Sequence, residues 1–309
     1  MTSVAEGAGA SGLRPTALVT GATGGIGNAV ARGLARSGFR VVATGRDEQK
    51  GAALLEQLAG ERAGHLEVGH RFVPADLSLL SGTAALADEV ARSVDRLDAV
   101  VCCAGDFALR PEWTSEGLER CLVLNYLSRF LLARRLLPLL LEAPSGRLVL
   151  VANAGRYRDS LDLDDLQHRR GRPGLRVCGR SQFANDLFAV ELAERYRGTA
   201  LEVSCVFPGV TRTDLFASAA GTPRLLRRAL TWLAGRVGLA PDEAADTPVW
   251  LAAGEAATGL SGSFFGPHSS PIRVPERARR ADRRQLLWAA SESLISLPEL
   301  VEGPPAPAP

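Results

Sequence analysis

The chain has 309 residues, of which 46% are hydrophobic and 23% charged, with a formal net charge of +2. That length buries a large core and the composition is ordinary for a soluble globular protein. So small a charge excess argues neither for nor against a nucleic-acid partner, and none is expected.

Residues 1–14 read as a loose tail without the apolar core of a signal peptide. Residues 15–300 read as a single domain, and 301–309, which include PPAPAP, as a disordered tail. TALVTG (16–21) is a buried strand leading into a Gly-rich turn, and NAVARGLARSG (28–38) is helical. RVVATG (40–45), HRFVPADLS (70–78), LDAVVCCAG (97–105), GRLVLVANAG (146–155) and LEVSCVFPG (201–209) are the next strands. Long helices are expected over 115–142 and 179–197. The run FLLARRLLPLLLEAP is interrupted by Arg134, Arg135 and Pro138, so no membrane span is expected. The Arg-rich run ERARRADRRQ (276–285) reads as a solvated helix face. Five cysteines, Cys102, Cys103, Cys121, Cys178 and Cys205, are odd in number and lack a secreted framework's spacing. A cytoplasmic protein without a metal site is expected.

Continuous apolar strands alternating with helices predict an α/β fold. Its form is a Rossmann-type, doubly wound parallel β-sheet with helices on both faces. Ligands of such sheets bind at the carboxyl ends of the strands. TGATGGIG (20–27) occupies such an end. Its glycines permit a tight turn and close approach of backbone to a pyrophosphate, which the following helix N-terminus faces. Gly21, Thr23, Gly24, Gly25, Ile26 and Gly27 are therefore candidate coenzyme contacts. The second strand ends in Gly45–Arg46–Asp47. An acidic residue there would accept ribose hydroxyls of NAD(H), but Arg46 comes first and suits the 2′-phosphate of NADP(H).

From Thr16 to Trp288 the chain resembles the short-chain dehydrogenase/reductase family, and within it the retinol-dehydrogenase-like branch. TGATGGIG matches the family's TGxxxGIG. Asp76 and Leu77 in PADLS match the pair that contacts adenine, and Ala104–Gly105 end the turn that the family writes NNAG. WTSEGLERCLVLNYLSRFLL (113–132) places Asn125 at the Asn of the family's catalytic tetrad. FPGVTRTDL (207–215) matches the PG-x-x-x-T segment that closes over the nicotinamide, which implicates Pro208, Gly209, Val210 and Thr213. LSGSFFG (260–266) resembles the branch's closing strand. The resemblance also implies a homodimer through the helices at 115–142 and 179–197.

The chain departs from the family where the chemistry is done. In the family a Tyr phenol gives a proton to the alkoxide. A Lys four residues on lowers the phenol's pKa and holds the nicotinamide ribose. The family's Y-x-x-S-K-x-A-N falls on CGRSQFAN (178–185), so Cys178 replaces Tyr and Gln182 replaces Lys. Asn153 stands where the family has its Ser, and Lys50 is the only lysine in the chain.

Tyr157, just past the fifth strand, is the first candidate for a replacement acid. Asn153 can hydrogen-bond a carbonyl or oxyanion, and Gln182 can hydrogen-bond the ribose. Cys178 reads either as an acid or nucleophile of shorter reach or as an inert small residue. Asp159 and His168, in the insertion 156–176, read as solvated loop. Residues 211–240 read as a lid carrying Leu215, Phe216, Leu225, Leu226, Leu230, Trp232 and Leu233. Such a lid suits a bulky hydrophobic small-molecule substrate, or else packs on the core. An oxidoreductase with a non-standard proton donor is slightly favoured. A non-redox enzyme (cyclase, isomerase, lyase or dehydratase) and a non-catalytic NADP-binding protein stay open.

Overall fold

The computed structural model describes residues 14–61, 69–212, 232, 235, 236 and 238–296. Eight strands form one sheet: β1 (Thr16–Thr20), β2 (Arg40–Gly45), β3 (Arg71–Pro74), β4 (Ala99–Cys102), β5 (Gly146–Val151), β6 (Leu201–Val206), β7 (Ser263–Phe265) and β8 (Pro271–Ile272). Their order is β3-β2-β1-β4-β5-β6-β7-β8. The first seven pair in parallel, and β8 runs antiparallel to β7. The sequence reading expected a wholly parallel sheet. It missed β8 because two residues carry no periodicity.

Nine helices are described: α1 (Gly25–Arg36), α2 (Glu48–Gly60), α3 (Leu80–Ser93), α4 (Arg120–Leu122), α5 (Ser128–Leu141), α6 (Arg176–Arg195), α7 (Pro241–Ala253), α8 (Glu276–Arg279) and α9 (Ala281–Ile295). Both faces of the sheet are covered, which is why the strands are apolar without alternation. Leu18, Val42 and Leu148 join one core with Phe130 and Phe183, while their neighbours Val19, Val41 and Val149 join the other with Val30, Leu34 and Leu251.

The helix expected over 115–142 begins only at Arg120. Gly117, at φ +71°, and a bridge between Trp113 and Glu119 hold the preceding residues out of it. The Glu119 carboxylate caps the start by accepting from the amides of Cys121 (3.0 Å) and Leu122 (2.8 Å). A π-helical turn, Val123–Leu127, then separates α4 from α5. Such turns concentrate at functional sites, and this one carries Asn125.

Two expectations are corrected here. The Arg-rich run is no single solvated face, because it breaks at Arg280 into α8 and α9. Arg277 donates to the carbonyls of Gly155 (2.6 Å) and Tyr157 (2.9 Å), Arg283 to Asp159 (2.7 Å) and Arg284 to Glu191 (2.9 Å). His168 is buried rather than solvated, its ring nitrogen Nε2 lying 2.9 Å from the Arg172 carbonyl oxygen. Of the two helices to which the resemblance assigned a homodimer, α6 packs against the chain's own α9. Trp288 is 4% exposed against Phe130 and Phe188.

Candidate functional site

A cleft of about 540 Å³ opens at the carboxyl ends of β1, β2, β4, β5 and β6. The order of strands reverses between β1 and β4, which leaves a crevice there. Gly21, Thr23, Gly24, Gly25, Ile26 and Gly27 form one wall. Two of these glycines are dictated by space. Gly21 sits at φ +65°, where an added Cβ would lie 2.8 Å from Ala104, and a Cβ on Gly27 would collide with the Gly21 carbonyl. The Thr20 hydroxyl accepts from the amides of Cys103 and Ala104, both at 3.1 Å, and so ties the two turns together. These cradles, which any side chain would fill, fit a dinucleotide's pyrophosphate.

Arg46, Asp76, Leu77, Ala104 and Gly105 line the same cleft, as do Pro208, Gly209 and Val210 after β6. Thr213 and most of the expected lid, including Leu215, Phe216, Leu225, Leu226, Leu230 and Leu233, lie outside the described residues. Trp232 is described and is exposed. Lys50 borders the cleft beside Arg46, a contact the sequence reading missed although it is the chain's one lysine. The Asp47 side chain is engaged as the N-cap of α2, accepting from the Lys50 amide at 3.0 Å. The basic pair faces the cleft while the neighbouring carboxylate serves the helix.

Four of the five candidate catalytic residues meet in the cleft: Asn153, Tyr157, Cys178 and Gln182. Asn125 does not; it is wholly buried behind them. Its side-chain carbonyl accepts from the Asp106 amide (2.7 Å). Its Nδ2 donates to the Asp106 carbonyl (2.9 Å) and has one further hydrogen for Cys121 Sγ (3.1 Å) or Ser181 Oγ (3.2 Å). Asn185 explains its own persistence: Nδ2 donates to the Asn125 carbonyl at 2.9 Å, satisfying an acceptor that the π turn displaces.

Tyr157 reaches the site from the loop after β5. Its ring packs on Gly179, where an added Cβ would lie 3.0 Å from the ring. Burial, then the charge of Cys178 and of Cys121, push its phenol up to about 12. Gln182 is 8% exposed and its Oε1 has no hydrogen-bond partner among the described residues.

The sequence reading also missed Arg129. It is 3% exposed, lines the cleft, and donates to the Ala104 carbonyl (2.8 Å) and Asn185 Oδ1 (3.3 Å). Among the described residues no carboxylate pairs with it, and burial pulls its pKa down. The available signal was its place four residues after Asn125, on the same helical face.

The short chain dehydrogenase family profile matches residues 15–161. Dehydrogenase/reductase SDR family member 13 of Bos taurus is 36% identical over 285 residues, covering 91% of this chain and 73% of that protein. Human retinol dehydrogenase 14 is 31% identical over 292 residues, covering 91% of this chain and 86% of its own length. Among solved structures, an Escherichia coli short chain dehydrogenase complexed with NADPH superposes with a TM-score of 0.60. It is 28% identical and the match covers 82% of this chain and 95% of that one.

Proposed function

Because the chain belongs to the short-chain dehydrogenase/reductase family, in its retinol-dehydrogenase-like branch, we propose that it is an NADP(H)-dependent oxidoreductase of a bulky hydrophobic alcohol or carbonyl. Tyr157 is its proton donor. The observation that carries this reading is the meeting of Tyr157, Asn153 and Gln182 with the glycine turn in one cleft. Arg46 and Lys50 suit a 2′-phosphate, and the engagement of Asp47 as a helix cap weakens the case for NAD(H). A name such as retinol dehydrogenase, borne by a relative, supports an apolar substrate.

The coenzyme supplies or accepts the hydride. The chain's own residues do the rest. The glycine turn and the α1 N-terminus hold the pyrophosphate. The Gln182 Oε1 acceptor receives a ribose hydroxyl. Asn153 donates to the substrate oxygen as negative charge builds there. The Tyr157 phenol, protonated across the neutral range, gives that oxygen its proton. Arg129 provides the positive charge that Gln182 does not, from the facing helix.

The test is deuteride transfer. NADPH labelled at C4 is incubated with long-chain and isoprenoid aldehydes, and the alcohols are examined for deuterium. Labelled alcohol supports the reading; absence of label across the panel sinks it. A second reading, non-redox chemistry in the same cleft, draws on the height of the Tyr157 pKa, about 12, in a family that tunes its Tyr downward. Turnover without label transfer would favour it.

A further inference from the structure

Cys178 does not stand alone. It lies in the first turn of α6 and Cys121 lies in α4, and the two meet in a small apolar cluster with Ala108 and Val177. The Asn125 Nδ2 faces both sulfurs, 3.1 Å from Cys121 Sγ and 3.7 Å from Cys178 Sγ. Both thiols also approach the Asp106 carbonyl, at 4.0 and 3.6 Å. The neighbouring Cys121, against burial and with help from Gln182, holds Cys178 below the ordinary thiol range, while Cys178 and burial push Cys121 well above it.

The other thiols differ. Burial pushes Cys102 up to about 11 and Cys205 well above the usual range, both within the sheet. Cys103 borders the cleft, but burial drives its thiol far up. The sulfur of Cys178 combines a place on the cleft wall with a second thiol packed in the same cluster and facing the same Asn125 amide. That is the arrangement of an attacking and a resolving cysteine.

We propose that Cys178 and Cys121 form a peroxide-reactive site, in which a hydroperoxide entering the cleft oxidises Cys178 and the pair then closes to a disulfide. The Cys178 sulfur attacks one peroxide oxygen and the O–O bond breaks, giving a sulfenic acid and water (or an alcohol from an alkyl hydroperoxide). The Cys121 sulfur then attacks the Cys178 sulfur; the S–S bond forms, the S–O bond breaks and water leaves. The two thiols give up two electrons and two protons, and the peroxide takes them. Closure removes both sulfurs as thiol partners of the Asn125 amide and ties α4 to α6. The step needs no coenzyme, so it stands or falls apart from the function proposed above.

The experiment uses the full, reduced, coenzyme-free chain treated with hydrogen peroxide, then denatured in N-ethylmaleimide and mapped by mass spectrometry. The expected result is a peptide cross-linking Cys121 to Cys178, a mass loss of about 2 Da before alkylation and reversal by dithiothreitol. In Cys121→Ser the cross-link is lost and dimedone labels Cys178. The proposal is overturned if wild-type protein yields no such peptide, or if oxidation falls on Cys103 while Cys178 stays alkylatable. The wild-type map decides the matter even where a variant fails to fold.

Discussion

Trp288 stands edge-on to Phe130, ring centroids 5.0 Å apart and planes at 74°. Arg195 and Arg134 stack over the same indole at 4.0 and 5.4 Å, and the Tyr126 and Ser291 hydroxyls meet at 2.7 Å beside it. Helix α9 thus packs on α6 and reaches Phe130 and Tyr126 beside it. Light scattering after size exclusion should return the mass of one chain. Trp288→Ala should cost about 3–5 kcal/mol in denaturant unfolding. A wild-type dimer that survives Trp288→Ala would show that the partner sits elsewhere.

The coenzyme preference is tested at Arg46 and Lys50. Each alanine variant should raise the KM for NADPH by about tenfold or more, the worth of one hydrogen bond to a charged group, and leave the KM for NADH within about twofold. Equal losses with both coenzymes would place the two side chains on the pyrophosphate rather than the 2′-phosphate.

Tyr157→Phe keeps the ring on Gly179 and removes only the hydroxyl. The expected loss in kcat is about a hundredfold or more, with KM for the coenzyme unchanged. Because the phenol ionises near 12, wild-type reduction should stay flat over the neutral and mildly alkaline range. A carbonyl reductase limb falling near pH 7 would point to another donor.

Much of this site was legible in the chain. Gly21 and Gly27 announce a turn because no side chain fits there, and Cys178 and Gln182 sit in a register fixed by Ser181, Ala184 and Asn185. Arg129 was legible only as a neighbour of Asn125 four residues on: its burial without a carboxylate partner is a tertiary fact, and in sequence it is one arginine among many. The cover that Trp288 gives Phe130 joins segments too far apart for any local pattern to announce. The meeting of Cys121 and Cys178 likewise joins α4 to α6, segments too far apart in the chain for periodicity to reveal.

Asp186 gives a pH signature of the fold. Its carboxylate accepts from the Gly155 amide at 3.1 and 3.0 Å, and burial raises its pKa to about 7 from an ordinary 3.8. The folded state favours the protonated form. This contribution to stability is complete below pH 4 and is lost as pH rises to about 7. The full shift corresponds to at most about 4 kcal/mol. Asp186→Asn should therefore flatten the decline in Tm between about pH 4 and about pH 7. Identical Tm–pH curves for the two proteins would mean that the carboxyl is ionised throughout.

Beneath the 156–176 loop, Arg180 and Glu119 are 2% and 0% exposed at the side chain, with Arg180 Nη2 3.8 Å from Glu119 Oε2. Burial pushes the Glu119 pKa up and pulls the Arg180 pKa down. Arg180 also donates to the Leu166 carbonyl, so one guanidinium joins α6, the cap of α4 and the loop that follows Tyr157. Removing the cation strands a buried carboxylate: Arg180→Ala should cost about 3–5 kcal/mol. Pairing it with Glu119→Gln removes the stranded charge and should return part of that loss. A double-mutant cycle in denaturant measures the difference. Additive losses would show that the two groups do not act as a pair, and that the Leu166 carbonyl is the partner that matters.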